Sequence, residues 1–145
     1  MRYLGIDYGE KRIGIAISDP LRLTAQPLSF IPNSGNVIDQ FKKVLLDYEV
    51  EGFVLGLPKN REGGDSLKCQ EVREFGEKLT TALGIKLIYW DERFSTVAVS
   101  RHLIAADVSR KKRKNIIDSQ AAMFILQGYL DSLNRQSPKG DSNGL

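Results

Sequence analysis

The chain has 145 residues, of which 41% are hydrophobic and 27% charged, and it carries a net charge of +3. This size and composition predict one globular domain and exclude a chain that is disordered throughout. Because the chain begins without an apolar leader and has no apolar run of about 20 residues, we expect a cytoplasmic protein with no membrane partner.

The first third of the chain predicts extended structure. Tyr3–Ile6 and Ile13–Ile17 are apolar and rich in β-branched residues, and a turn-like stretch joins them, which indicates a hairpin. Thr24–Ile31 predicts a third strand. Because Pro27 inside it lacks a backbone donor, this strand is expected at an edge of the sheet.

The middle of the chain alternates between apolar residues at helical spacing and short apolar runs typical of buried strands. Apolar residues at helical spacing predict a helix over about 37–48, and the short apolar run Phe53–Leu57 predicts a buried strand. A second helix is expected to follow Ser66 and to end at Gly84. The run Ile85–Trp90 then predicts another buried strand.

The last third predicts two helices with a basic loop between them. The first runs from residue 95 or 96 to about 106, and the second over about 115–133. Five consecutive basic residues, Arg110 to Lys114, form the predicted loop. Residues 134–145 offer no apolar face and are expected to be a disordered tail, which leaves 1–133 as the domain.

This order of elements predicts the α/β class with a mixed five-stranded sheet. The first three strands are expected to be antiparallel, and the last two parallel to the first through right-handed crossovers. Helices are expected on both faces of the sheet.

Asp7 is the first candidate functional residue, because it ends an apolar run where a carboxylate is costly to desolvate. Gly5 and Gly9 flank it and leave room for a bulky anionic ligand or for another backbone. The alternative is that Asp7 only begins the hairpin turn, where aspartate is favoured.

Two further acidic positions lie beside predicted core elements. Asp91 and Glu92 follow a buried strand, at the end where ligands gather in open α/β sheets, and Asp118 lies on or beside the apolar stripe of the last helix. A charge beside a helix N-terminus is the alternative for each. Three acids from distant segments would repel one another unless they shared hard divalent cations such as magnesium or manganese, which can promote phosphodiester hydrolysis.

The motifs "GIDYGEKRIGIAISD", "GLPKNREG", "DERFST" and "NIIDSQAA", in this order, resemble the YqgF/RuvX family of bacterial ribonuclease H-like proteins over about 1–133. The resemblance implies a ribonuclease H-type sheet and metal-dependent cleavage of nucleic acid with Mg²⁺ or Mn²⁺. It also implies that Asp7, Glu92 and Asp118 are the catalytic, metal-binding acids, and it favours Glu92 over Asp91. The chain departs from many ribonuclease H-like enzymes in having no acid at the end of Phe53–Leu57 and no fourth acid just after Asp118.

Under this hypothesis the basic residues gain a role in binding substrate phosphates, which would make binding depend on salt and little on sequence. The candidates are Lys11, Arg12, Lys59, Asn60, Arg93, Arg110, Lys111, Lys112, Arg113 and Lys114. A solvated charge run is the alternative for the pentabasic stretch. Arg93 is expected to hold a phosphate, to orient Glu92 or to make a plain surface salt bridge.

The resemblance favours processing of the 5′ end of pre-16S rRNA, with ribosomal precursor particles as partners. Resolution of branched Holliday-junction DNA and a non-catalytic RNA-binding role in ribosome maturation remain alternatives. A nucleotide-binding module related to sugar-kinase and actin-like ATPases is a further one. Monomer and homodimer both remain open.

Overall fold

The computed structural model describes residues 1–60, 62–94 and 110–136, apart from the side chains of residues 94, 110–118 and 136. Within these ranges the chain forms the following elements: β1 (Arg2–Asp7), β2 (Arg12–Ser18), β3 (Ala25–Pro27), β4 (Ile31–Pro32), α1 (Val37–Asp47), β5 (Val50–Leu57), α2 (Leu67–Leu83), β6 (Lys86–Asp91), a 3₁₀ turn (Glu92–Phe94) and α3 (Arg110–Gln136). No helix in this part of the chain combines the length and the apolarity needed to cross a bilayer.

In the described residues six strands form one mixed sheet, one more than predicted, in the order β3-β2-β1-β5-β6 with β4 also paired to β2. β1, β2 and β3 are antiparallel, whereas β5 and β6 run parallel to β1. The predicted fold class and the predicted strand directions are therefore confirmed.

The predicted third strand is two short strands. β3 pairs with the end of β2, and β4 pairs with its beginning. Each of these short strands ends at a proline, which has no backbone N–H to donate to β2.

Helices cover both faces of the sheet. Alternate residues of β1, among them Leu4 and Ile6, face α1 and α2 and join a large apolar cluster that includes Phe41 and Leu79. The residues between them face α3. There Tyr3 packs in a second cluster with several α3 residues: Ala122, Met123, Phe124, Ile125, Leu126 and Leu130.

The backbone of α3 lies very close to β1 at Gly5. A Cβ on Gly5 would stand 2.6 Å from the Cβ of Leu126 and 2.7 Å from the carbonyl oxygen of Ala122. Of the two uses expected for the glycines near Asp7, the one seen at Gly5 is close approach by another backbone.

The basic run does not form the predicted loop. The backbone from Arg110 onward is helical and forms the start of α3, which extends to Gln136. Arginine and lysine are good helix formers, and no glycine or proline separates them from the apolar segment that follows. The expected tail is therefore wrong for residues 134–136, while 137–145 and the predicted helix over 95–106 lie outside the described residues.

Gly5→Ala is expected to lower the free energy of unfolding by about 1–3 kcal/mol, because the added methyl group meets a packed helix backbone. Urea denaturation measures this. Gly35→Ala is the matched control, since a Cβ there meets no atom within 4 Å, and its change should stay within about 0.5 kcal/mol. Equal effects of the two variants would contradict the packing described for α3.

Candidate active site

Three parallel strands end together at one edge of the sheet. β1 ends at Asp7, β5 ends at Leu57, and β6 ends at Asp91, which is paired with Leu57. Asp7 is one residue beyond the pair formed by Ile6 and Leu55. Because the carboxyl ends of parallel strands share an edge, the acids from β1 and β6 lie on either side of the end of β5.

The acid from β6 leans over β5. A Cβ on Gly56 would stand 3.0 Å from both Cγ and Oε2 of Glu92, and the side chain of Ile125 closes the same space from α3. Gly56 therefore leaves the room that the Glu92 side chain occupies. β5 has no acid of its own at this edge, and the carboxyl group that lies over it is that of Glu92 from the turn after β6.

Gly56 was not among the residues singled out from the sequence. A glycine inside the buried run "FVLGLP" was a signal for close approach. The sequence alone did not show that the approaching group is a carboxylate.

Asp7 and Glu92 interact electrostatically. Burial raises the pKa of Glu92 to about 7, and repulsion from Asp7 contributes to the rise. Burial also raises the pKa of Asp7 above its usual value. The two carboxyl groups therefore stand near enough, and far enough from water, for simultaneous ionisation to be unfavourable.

Lys68 opposes this effect at both acids, since its positive charge lowers both pKa values. It lies in the first turn of α2, which the hydroxyl of Ser66 fastens to the end of β5 by donating to the Pro58 carbonyl at 2.8 Å. Lys68 was missed because nothing in its sequence neighbourhood reveals this anchoring. It is a cation at the acidic edge that the sequence did not predict.

Asp91 and Glu92 have different surroundings. The carboxylate of Asp91 accepts hydrogen bonds from the backbone N–H of Arg93 at 2.9 Å and from its Nε at 2.9 and 3.1 Å. These hydrogen bonds hold the pKa of the Asp91 carboxyl below its usual range. Asp91 is thus engaged with Arg93, while Glu92 faces Asp7.

The side chain of Asp118 lies outside the part of the chain that the structure describes. Its backbone belongs to α3, and the next residue, Ser119, is buried, with its hydroxyl accepting a hydrogen bond from the Ile15 backbone at 3.3 Å. Ile15 pairs with Ile6, one residue before Asp7. Among the side chains that are described, no three histidine, cysteine or acidic residues form a metal-binding group.

The turn between β1 and β2 carries Lys11 and Arg12 at the same edge. Asn33 fixes this turn, because its backbone N–H donates to the Lys11 carbonyl at 2.9 Å and its side-chain amide donates to the Gly9 carbonyl at 2.8 Å. Both basic side chains are exposed, and the Arg12 guanidinium lies 5.5 Å from the Phe30 ring centre. Asn33 was not predicted from the sequence.

The loop after β5, residues 58–65, carries the other described candidates. The Lys59 ammonium lies 4.0 Å from Asp65, which also pairs with Arg73. The side-chain oxygen of Asn60 accepts the backbone N–H of Gly64 at 2.8 Å, so this side chain helps to fold the loop. The side chains of the basic run from Arg110 to Lys114 lie outside the described residues.

A pair of half-buried carboxylates suits a hard divalent cation. Oxygen ligands of negative charge are what Mg²⁺ and Mn²⁺ prefer, and a cation between Asp7 and Glu92 would relieve both their repulsion and their desolvation. The donor set that the structure describes therefore fits the metal expected from the sequence.

The fold of the protein is that of Holliday-junction resolvases of ribonuclease H type. A fowlpox virus resolvase, solved with junction DNA, is similar with a TM-score of 0.58 and 16% identity, covering 92% of this chain and 99% of its own. A Thermus thermophilus RuvC, solved with a junction substrate, is similar with a TM-score of 0.52 and 15% identity, covering 92% and 96%. At these identities the likeness concerns the fold.

The chain belongs to the RuvX family, described as Holliday junction resolvase, whose model matches residues 1–132. A Desulfitobacterium hafniense protein named "putative pre-16S rRNA nuclease" is 46% identical over 137 residues, which cover 94% of this chain and 96% of its own. A Clostridium botulinum protein of the same name is 47% identical, with coverages of 93% and 100%. The resemblance stated from the motifs is confirmed.

Metal-free protein is expected to lose stability as the pH rises from about 4.5 to 7. Burial raises the pKa of Glu92 to about 7 in the folded state from its ordinary value of 4.5, so the folded state binds the proton more tightly. The resulting stabilisation is fully present below pH 4.5 and is lost as the pH passes 7. Urea denaturation in chelator at several pH values measures the loss.

Glu92→Gln should flatten the pH dependence of unfolding over this interval. Glu49→Gln is the control, because Glu49 is an acid of the α1–β5 connection, at the opposite edge of the sheet. A wild-type stability that rises from pH 5 to 7 would contradict the described burial of Glu92.

Proposed function

We propose that this protein is a metal-dependent endonuclease that processes the 5′ end of pre-16S rRNA. Its family and its named relatives make it a nuclease, an enzyme that hydrolyses phosphodiester bonds. The metal requirement and the ribosomal substrate are the proposed parts. The single observation that supports the metal requirement is the pair formed by Asp7 and Glu92, two half-buried carboxyl groups at one edge of the sheet that a cation would neutralise.

Asp118 is proposed as the third acid. Three contacts of α3 support its placement: Tyr129 meets Tyr3, Ala122 meets Gly5, and Ser119 bonds to Ile15. The N-terminal part of α3 therefore lies toward the carboxyl end of β1. One helical turn before Ala122 is position 118, on the same stripe of the helix, which is the direction of Asp7.

In the proposed mechanism Asp7, Glu92 and Asp118 would hold Mg²⁺ or Mn²⁺. The bound metal supplies an activated water and charge stabilisation for the phosphoryl group. The chain's own groups have separate tasks. The acids fix the metal position, and Ile125 and Gly56 confine the Glu92 side chain.

The phosphates on either side of the cleaved bond are proposed to contact the basic residues that surround the edge. Lys11 and Arg12 approach from the β1–β2 turn, Lys59 and Asn60 from the 58–65 loop, and Arg110 to Lys114 from the start of α3. Such contacts position the polyanion and carry little sequence information. The ribosomal substrate itself rests on the names of the relatives.

Branched DNA is the second candidate substrate, since the family description names junction resolution. We extend the proposal for RNA to a cytoplasmic location and to ribosomal precursor particles as partners, because a precursor-processing nuclease acts where those precursors are made. Competition between the two nucleic acids in one cleavage assay separates the candidates.

Cleavage of a precursor 16S rRNA fragment is expected to require Mg²⁺ or Mn²⁺ and to stop in excess EDTA. Asp7→Asn, Glu92→Gln and Asp118→Asn should each reduce the rate at least about 100-fold, since loss of a ligand disturbs both metal affinity and water activation. The assay is gel separation of end-labelled products. Asp47→Asn, at the end of α1, is the matched control and should cleave normally.

Three results would count against the proposal. Full cleavage in EDTA would exclude the metal mechanism, and full activity of Asp118→Asn would exclude the third acid. Preferential cutting of junction DNA over the rRNA fragment would exclude pre-16S rRNA as the main substrate in favour of branched DNA.

Binding of the rRNA fragment is expected to weaken with salt, and replacing basic residues should reduce that dependence. Lys111→Gln with Lys112→Gln should lower the slope of log affinity against log salt by about 1–2, because each phosphate contact contributes about 0.7–0.9. Lys42→Gln with Lys43→Gln is the control of equal charge, on exposed positions of α1. Filter binding at several salt concentrations measures both slopes, and equal slopes would exclude the basic run from the interface.

A further inference from the structure

The two residues that flank Glu92 are joined to each other. Asp91 is the last residue of β6, and Arg93 is the second residue of the 3₁₀ turn. The Asp91 carboxylate accepts the Arg93 backbone N–H at 2.9 Å and pairs with the guanidinium through Nε and Nη2. These bonds close a ring across Glu92, which restricts the backbone at that residue.

The Glu92 side chain takes no part in this ring. Its Cγ and Oε2 lie over Gly56 on the neighbouring strand, whereas the Asp91 carboxylate is bonded to Arg93. With both neighbours fixed, the backbone at Glu92 is restricted, and this limits the rotamers that its side chain can adopt. The ion pair therefore acts on the acid that lies between its two members.

The same guanidinium packs against the 58–65 loop. A Cβ on Gly63 would stand 3.4 Å from Nη2 and 3.5 Å from Nη1 of Arg93. Gly63 has a φ of +88°, a conformation that glycine adopts without strain. A residue with a side chain at position 63 would strain the loop, and its Cβ would lie in ordinary van der Waals contact with the guanidinium.

The loop is folded on itself at this point. The N–H of Gly63 donates to the Asn60 carbonyl and the N–H of Asn60 donates to the Gly64 carbonyl, both at 3.0 Å. Arg93 thus lies beside the hydrogen-bonded turn at residues 60–64, which follows directly after Lys59. Since Asp91 is anchored in β6, the guanidinium connects this turn to the sheet.

We propose that Asp91 and Arg93 are positioning residues that form a brace, holding Glu92 toward Asp7 and fastening the 58–65 loop beside it. This inference rests on the proposed function, in which Glu92 is a metal ligand and the loop contacts substrate phosphates. The brace makes the two parts of the site a single rigid unit. Arginine suits the role because its planar fork bonds the Asp91 carboxylate through two nitrogens while its terminal nitrogens lie beside Gly63, which the single ammonium of lysine cannot do.

The test compares Asp91→Asn, Arg93→Gln, the double variant and Arg93→Lys with wild type. Amide hydrogen exchange at Gly63 and Gly64, followed by NMR without metal or RNA, reports on the loop. Each single variant is expected to speed exchange about twofold to fivefold, the factor that corresponds to a partly exposed ion pair. The double variant should exceed neither single variant, and Arg93→Lys should resemble Arg93→Gln.

Arg22→Gln is the matched control. It removes an ion pair of similar exposure, between Arg22 and Glu51, and should leave exchange at Gly63 unchanged. Unchanged exchange in Arg93→Gln would overturn the brace.

A second readout concerns Glu92. The Mg²⁺ concentration that gives half of the thermal stabilisation should rise by the same factor in Asp91→Asn and Arg93→Gln, and kcat should fall with little change in KM. A KM that rises in Arg93→Gln but not in Asp91→Asn, and that Arg93→Lys restores, would overturn the brace in favour of a direct phosphate contact. An unchanged Mg²⁺ midpoint would overturn the orientation of Glu92.

The two proposals fail separately. If wild-type protein cleaves equally well in EDTA while the exchange results are as expected, the metal mechanism falls and the fastening of the loop stands. If cleavage needs metal and the exchange rates do not change, the brace alone falls.

Discussion

The repulsion between Asp7 and Glu92 is the constraint on which the arrangement of this site depends. Both carboxyl groups are withdrawn from water, which raises both pKa values, and the charge of Asp7 raises the pKa of Glu92 further. A fold gains nothing in stability by bringing such groups together without a compensating cation. Lys68 supplies part of the compensation from α2, and a divalent cation would supply the larger part.

Close packing at glycine is what brings the acids to one place. Gly5 lets α3 approach β1, so that the helix passes directly over the strand that ends in Asp7. Gly56 lets the side chain of Glu92 cross from β6 toward β1. Both glycines lie on the α3 face of the sheet, the face to which Asp7 belongs by alternation along β1. The glycines that allow α3 to pack closely on the sheet therefore also leave the space in which the acids approach one another.

Most of the fold could be predicted because periodicity and breakers are local. The hairpin, the two parallel strands and the two helices that precede them were found within one to three residues. The split of the third strand was missed because Pro27 indicates an edge strand without showing where the pairing with β2 stops. The basic run was predicted as a loop on charge alone, although Arg110 to Lys114 are good helix formers and continue into α3.

The candidate site could be proposed in part from the sequence. Asp7 was singled out from the cost of burying a carboxylate, and Glu92 was separated from Asp91 only by the family resemblance. The structure supplies the physical distinction, since Asp91 is occupied by Arg93 while Glu92 faces Asp7. Lys68 and Asn33 were not detected because their positions depend on tertiary contacts that no sequence spacing reveals. For Lys68 this is the hydrogen bond from Ser66 to Pro58, and for Asn33 it is the bond to the β1–β2 turn.

The proposed function places opposite charges side by side, and this has a thermodynamic consequence. The acidic pair repels a phosphate backbone, whereas Lys11, Arg12 and Lys59 at the same edge attract it. A divalent cation bound by the acids would reverse the sign of the field at the centre of the edge, so that metal binding and substrate binding favour each other. Because such coupling is reciprocal, the nucleic acid must raise the affinity for the metal by the same factor as the metal raises the affinity for the nucleic acid. A site built from two repelling carboxylates is therefore tightest when metal and polyanion are bound together.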